Sequence, residues 1–193
     1  FGWFVDKFGT KIGYGVSIVG WSLAAMAHAL VSTVSGFSYA RMALGVSEGG
    51  NFPSAIKAVA MWFPKKERAL ATSIFNAGTN VGALVAPALV PWVADKWGWH
   101  WAFIVAGIAG FCWLFLWIPF YTTPEDSTKA NAAELEYIRS DAPEPAQPAK
   151  PSWLSLLGYR QTWSFIFAKG LTDPVWWFFL TWLPDYFKKK IGR

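Results

Sequence analysis

Three runs of this chain contain no Asp, Glu, Lys or Arg: Ile12 to Val34, Ala69 to Ala94 and Trp97 to Pro124. Each is longer than the roughly 20 apolar residues an α-helix needs to cross about 30 Å of hydrocarbon. They predict membrane-spanning helices, and composition agrees. Of the 193 residues, 54% are apolar, 19% aromatic and 15% charged, too many apolar and too few charged for a typical soluble domain.

Two further spans carry charge: Phe37 to Trp62 with Arg41, Glu48 and Lys57, and Arg160 to Phe187 with Lys169, Asp173 and Asp185. The expected connections are Gly2 to Lys11, a short turn near Ser35, Phe63 to Arg68, a turn at Asp95 and Lys96, and Thr122 to about Gly158. Alternate connections face the same side. One side carries Lys7, Lys11, Lys65, Lys66, Arg68, Lys129, Arg139, Lys150 and Arg160, against Lys96 on the other, so the basic side is expected to be cytoplasmic. The late run Lys188, Lys189, Lys190 and Arg193 falls on the opposite side, where it need not control orientation. Trp62, Trp92, Trp97, Trp99, Trp117 and Trp153 fall near span ends and read as headgroup-level anchors whose N–H finds water or lipid.

The Pro-, Ala- and acid-rich stretch from Thr122 to Pro151, with a helical patch at Ala133 to Arg139, reads as a cytoplasmic linker. The expected organisation is a first helical bundle over residues 1–121, a linker over 122–158 and the first helix of a second bundle over 159–193. Phe1 is preceded by no Met, basic n-region or cleavage site, so the chain is read as a fragment whose first residues end an earlier helix. The net charge of +5 comes from cations flanking apolar spans, so nucleic acid is not an expected partner. The single Cys112 excludes a disulfide framework or a cysteine metal site, and no cofactor or metal is expected.

Arg41 and Glu48 are seven residues apart, which on a helix puts them on nearly one face, about 10 Å apart along the axis. With a helix start near Phe37, Glu48 lies about 16 Å deep, near the midplane. Ionisable groups at that depth face a bundle interior or a water-filled path and mark ion, proton or solute translocation. Desolvation raises a buried carboxyl's pKa and a nearby guanidinium lowers it, so movement of Arg41 or entry of an anion would switch Glu48. A static pair that holds the bundle together is the alternative. Gly45, Gly49, Gly50 and Pro53 offer close helix approach and a break in the hydrogen-bond ladder. Lys57 points nearly opposite Glu48, near the cytoplasmic end where it can snorkel, and receives no site role.

Asn76, Thr79 and Asn80, with Gly78, Gly82, Pro87 and Pro91, form a polar, breakable run expected to face inward. Its amides and hydroxyl suit sugar hydroxyls and equally suit helix packing. Lys169 and Asp173 share a face by their spacing of four, with Pro174 placed to unwind the helix and Trp176, Trp177 and Phe179 following. Lys169 is either an anion site or half of an intrahelical ion pair. His28 and His100 each stand alone and suggest no site.

The segment Gly2-Trp3-Phe4-Val5-Asp6-Lys7-Phe8-Gly9-Thr10-Lys11 resembles the Gly-x-x-x-Asp-Arg-x-Gly-Arg-Lys loop of the major facilitator superfamily, departing from it at Lys7 and Thr10. Arg41-x-x-x-Gly45-x-x-Glu48-Gly49-Gly50 is similar to that superfamily's fourth-helix motif. Trp62 to Arg68, Phe75 to Gly78 and Trp176 to Pro184 resemble its anion:cation symporter family, especially bacterial hexuronate and galactonate transporters. The resemblance implies an all-α membrane fold, the end of helix 2 through helix 7 of twelve, in an inner-membrane, monomeric carrier that imports a sugar acid with protons. It implies Glu48 as the proton-coupling carboxylate with Arg41 as partner, and Gly2 and Asp6 as parts of a cytoplasmic gate. By their own chemistry and spacing, Asn76, Thr79, Asn80, Lys169 and Trp177 are the candidate substrate contacts of such a carrier. Asp6 also reads simply as a helix cap.

Two rival classes remain open on sequence. A uniporter or exchanger of another organic anion or of phosphate would use the same cations. A membrane enzyme or receptor would need a metal spacing, nucleophile motif or phosphate loop that the sequence does not show.

Overall fold

The computed structural model describes residues 1–141 and 153–191, so Lys150, Pro151, Arg193 and the side chain of Trp153 lie outside the described residues. The chain divides into two compact units, 1–142 and 143–193. The first unit contains α1 (Gly2–Phe8), α2 (Thr10–Ala27) running into a 3₁₀ turn at His28–Leu30, α3 (Val34–Glu48), α4 (Asn51–Trp62), α5 (Lys65–Trp97), α6 (Trp99–Phe120) and α7 (Ala132–Ile138). The second contains the short α8 (Trp153–Leu156) and the long α9 (Arg160–Ile191). Among the described residues, three helical segments, Thr10–Leu30, Lys65–Trp97 and Trp99–Phe120, are long and apolar enough to cross a membrane.

At the centre of the first unit, α2 packs against α6, α3, α4 and α1. Its buried residues include Thr10, Gly13, Ser17, Ser22 and Ala24 beside Ile18. Large apolar side chains such as Leu23, Val46, Leu84 and Phe115 point outward. This inversion suits lipid, which exerts no hydrophobic drive between helices and leaves close approach of small residues to hold them. A Cβ at Gly110 of α6 would overlap the Ser22 hydroxyl, and one at Gly50 would overlap Ser17 and the Phe1 ring.

Helix ends follow local stereochemistry more than hydropathy. Gly2 to Lys11 is not an open loop: α1 and α2 are helical on either side of Gly9, whose φ of 85° suits only glycine. The turn expected at Ser35 lies earlier, where the Thr33 hydroxyl accepts the Gly36 N–H at 3.1 Å and starts α3. The connection expected over Phe63 to Arg68 shrinks to Phe63 and Pro64, since α5 starts at Lys65. The turn expected at Asp95 and Lys96 is helical, and the chain reverses at Gly98 with φ 91°. Neither α5 at Pro87 and Pro91 nor α9 at Pro174 and Pro184 is interrupted, so Pro174 does not unwind α9.

The break that does form lies between α3 and α4. Gly49 and Gly50 keep right-handed helical angles, with Gly49 N–H on Gly45 O at 3.2 Å and Gly50 N–H on Ser47 O at 3.4 Å. Pro53 has no N–H for the Gly49 carbonyl, so the ladder loses a rung while the direction is roughly kept. The two helices form one kinked segment from Val34 to Trp62 with Glu48 at its midpoint.

Candidate functional site

Contacts sort the first unit into two ends. At one, the Lys57 ammonium donates to Asp6 Oδ1 at 2.8 Å, Trp62 Nε1 donates to Thr122 O, and Trp117 Nε1 donates to Lys11 O. Lys66 lies over the Tyr137 ring, and Arg68 reaches Asp141 at 3.6 Å. At the other end, His28 meets Phe37 and Phe103, and Trp99 meets Phe37. Most of the predicted basic side of this unit therefore gathers at one end. Trp62 and Trp117 there donate to backbone carbonyls in place of the expected water or lipid, which fixes helix ends to each other.

The α3 backbone places Arg41 and Glu48 on one face, about 20° apart in projection. Neither has an ion-pair partner among the described residues, and both are exposed there. They are two stations along a stripe. Because α3 starts at Val34, three residues before the expected start, Glu48 lies about 21 Å from its first residue. At the opposite end from Lys57, Arg41 lines a cavity of about 360 Å³ with His28, Val34, Phe37, Ser38 and Phe103. His28 is 3% exposed, and its Nδ1 lies 2.7 Å from Ala24 O. Its ring stacks on Phe103 with centroids 5.0 Å apart.

On α5, Asn76 is half-buried while Thr79 and Asn80 are exposed. Thr79 Oγ1 donates to Asn76 O, and a Cβ at Gly78 or Gly82 would meet nothing within 4 Å. The polar run thus occupies one helical face, but it does not face the interior formed by the described residues. In the second unit, Lys169 and Asp173 form an ion pair at 2.8 Å across one helical turn, and Trp177 is exposed one turn on.

Lys57 is the residue sequence reasoning missed. Its ammonium also donates to Val5 O at 3.0 Å, so one cation holds both the Asp6 carboxylate and the C-terminal end of α1. The favourable dipole of a helix C-terminus adds to the pair. With the partners 51 residues apart, no local spacing signals the contact. Lys57 is nevertheless the one cation in the second half of the Phe37 to Trp62 span. At Gly2, the companion of Asp6 in the motif, an added Cβ would meet nothing within 4 Å among the described residues.

The family model described as Major Facilitator Superfamily matches residues 1–192. The chain is 35% identical to the galacturonate transporter of Dickeya chrysanthemi over 99% of this chain and 56% of that protein. It is 35% identical to the hexuronate transporter of Escherichia coli K12 over 99% of this chain and 45% of that protein. Identity to the D-galactonate transporter of Escherichia coli O6:H1 is 32%, over 99% and 47%. The chain therefore spans about half the length of the curated relatives it matches. Its apolar helices and these relatives make it a multi-pass protein of the cytoplasmic membrane. The chain belongs to the Major Facilitator Superfamily.

Proposed function

We propose that the protein to which this chain belongs imports a hexuronate or related sugar acid together with protons. The observation that carries the coupling is Glu48 at the midpoint of the Val34 to Trp62 segment, on the face it shares with Arg41, which lines a cavity two turns away. The names of its relatives, for galacturonate, hexuronate and galactonate, support the substrate class.

The physical cycle is simple. A substrate carboxylate at Arg41 neutralises the guanidinium, and a proton on Glu48 removes the second intramembrane charge. The loaded carrier then moves with little charge to desolvate. On the inward side the substrate and the proton leave, the opposite charges of Arg41 and Glu48 offset each other for the return, and Glu48 takes up its next proton on the outer side. Lys57 and Asp6 close the end at which they meet, and their separation accompanies opening there. Asn76, Thr79, Asn80, Lys169 and Trp177 remain the proposed further contacts to substrate.

Full-length protein in proteoliposomes is expected to accumulate galacturonate when the exterior is acidic. Glu48→Gln is expected to abolish accumulation while keeping exchange of labelled for unlabelled substrate across the membrane. Accumulation that ignores both the gradient and the substitution refutes coupling through Glu48. A uniporter or exchanger would show equilibration alone, and preferential inhibition by phosphate would refute the sugar-acid reading.

A further inference from the structure

The cavity beside Arg41 contains a group that the proposed cycle does not use. His28 is buried at the end of α2, where the chain tightens into a 3₁₀ turn. Its backbone N–H turns to Ala25 O and Met26 O, and its imidazole Nδ1 sits 2.7 Å from Ala24 O. A carbonyl oxygen only accepts, so Nδ1 carries the hydrogen, and a ring protonated at Nδ1 alone presents a lone pair at Nε2. Nε2 is buried and has no hydrogen-bond partner among the described residues. A buried acceptor left unpaired is costly, and a ligand hydroxyl would relieve it.

Two neighbours define what such a ligand must be. Ser38 Oγ donates to Val34 O at 2.9 Å, so its oxygen keeps acceptor capacity toward the cavity it lines. Arg41, on the same wall, is a donor with no ion-pair partner among the described residues and suits a carboxylate. Two acceptors and one guanidinium match a molecule with hydroxyl donors and a carboxylate. They do not match sulfate, which brings no donor, and they match phosphate poorly, because its one or two hydroxyls sit on the same compact anionic centre that Arg41 would hold. The stacked Phe103 and the tilted Phe37 hold the imidazole plane, so the acceptor has a fixed direction.

We propose that His28, Ser38 and Arg41 form a docking site for a hydroxy-carboxylate at the end of the bundle opposite Lys57, with His28 Nε2 accepting a substrate hydroxyl. The site deepens the sugar-acid reading and rests on it for the ligand class. His28 is a specificity-determining residue that selects polyhydroxy acids from simple anions.

Two isosteric substitutions separate this role from helix capping. In His28→Asn the amide nitrogen stands where Nδ1 stood and still serves Ala24 O, but the distal acceptor is lost. In His28→Gln the side-chain oxygen reaches the Nε2 position, while the bond to Ala24 O is lost. Binding of galacturonate and of phosphate to purified full-length protein is measured at one pH, beside the heat-unfolding midpoint. The expected result is that Asn weakens galacturonate binding about fivefold, the worth of one net hydrogen bond, with its unfolding midpoint kept. Gln is expected to retain affinity within about twofold while melting lower. Wild-type affinity in His28→Asn, or equal losses in both variants, overturns the proposal. Phosphate binding that falls in parallel with galacturonate in His28→Asn overturns it too. Wild-type protein that binds galacturonate without transporting it refutes the importer reading and leaves the docking site standing.

Discussion

At the scale of single residues, the pair worth testing is Lys57 with Asp6. Their side chains are 30% and 54% exposed, so solvent screens the attraction, and a contribution of about 0.2–1 kcal/mol follows for an exposed pair. That is small for folding but large for a balance between two carrier conformations, since 1 kcal/mol shifts a ratio about fivefold. Lys57→Met is expected to increase labelling of a cysteine placed at this end of the bundle by up to that factor, with a nearly unchanged unfolding midpoint. Exchanging the charges, Asp6→Lys with Lys57→Asp, is expected to restore part of the closed population, because an aspartate has no proton for Val5 O. Labelling unchanged in Lys57→Met would remove the pair from the gate. The contrast with Glu48 shows what a sequence makes legible at this scale. A carboxylate deep in an apolar run is visible because its environment is written in its neighbours. A surface ion pair between partners 51 residues apart is written nowhere locally. The lone acceptor of His28 is equally silent, because a histidine's partners depend on which carbonyl the 3₁₀ turn frees and which rings close over it.

At the scale of elements, the spans were legible and their ends were not. The apolar runs state where helix must be, because an unpaired backbone group in hydrocarbon is costly. Where a helix starts depends on a cap such as Thr33, and where it turns depends on a positive-φ glycine such as Gly98, both invisible to mean hydropathy. Prolines misled in the other direction. Pro87, Pro91, Pro174 and Pro184 lie within continuous helices, whereas Pro53 follows a break because Gly50 and Gly49 lie three and four residues before it. Ser54 Oγ donates to Gly50 O at 2.7 Å beside the Ser54 N–H on the same carbonyl, a back-bond that favours bending and leaves Gly49 O unserved by it. Pro53→Ala supplies the missing N–H to Gly49 O, with a gain below the about 3 kcal/mol of a helix interior because Pro53 lies in the first turn of α4. The expected outcome is a higher unfolding midpoint with slower turnover, as straightening moves Arg41 and Lys57 relative to each other. Unchanged turnover in a stabilised variant would show that the cycle does not use the kink. Gly50→Val is expected to be destabilising by roughly 1–3 kcal/mol through overlap with Ser17 and Phe1, read as a lowered midpoint.

At the scale of the whole molecule, orientation decides what the proposed carrier does. Contacts bring Lys11, Lys57, Lys66 and Arg68 to one end of the first unit, where Asp141 also accepts the Lys65 backbone N–H at 2.7 Å. Lys96, at the opposite end of α5, lies over the Trp92 ring. By the bias of short cytoplasmic loops toward Lys and Arg, the first end faces the cytoplasm. The His28 cavity then opens toward the exterior, where an importer first meets its substrate, and the Lys57 contact guards the exit. Cys112 is the single cysteine of these 193 residues, so Cys112→Ser, with any cysteine in the rest of the full-length protein replaced as well, gives the background for two probes, Ser32→Cys beside the α2–α3 turn and Thr123→Cys beyond α6. In intact cells, a membrane-impermeant maleimide is expected to label Ser32→Cys and to spare Thr123→Cys until the membrane is permeabilised. Saturating galacturonate outside is expected to slow labelling at Ser32→Cys, as the mouth of the docking cavity fills or closes. The reverse labelling pattern would turn the molecule over, put His28 on the cytoplasmic side and make the same site a point of release.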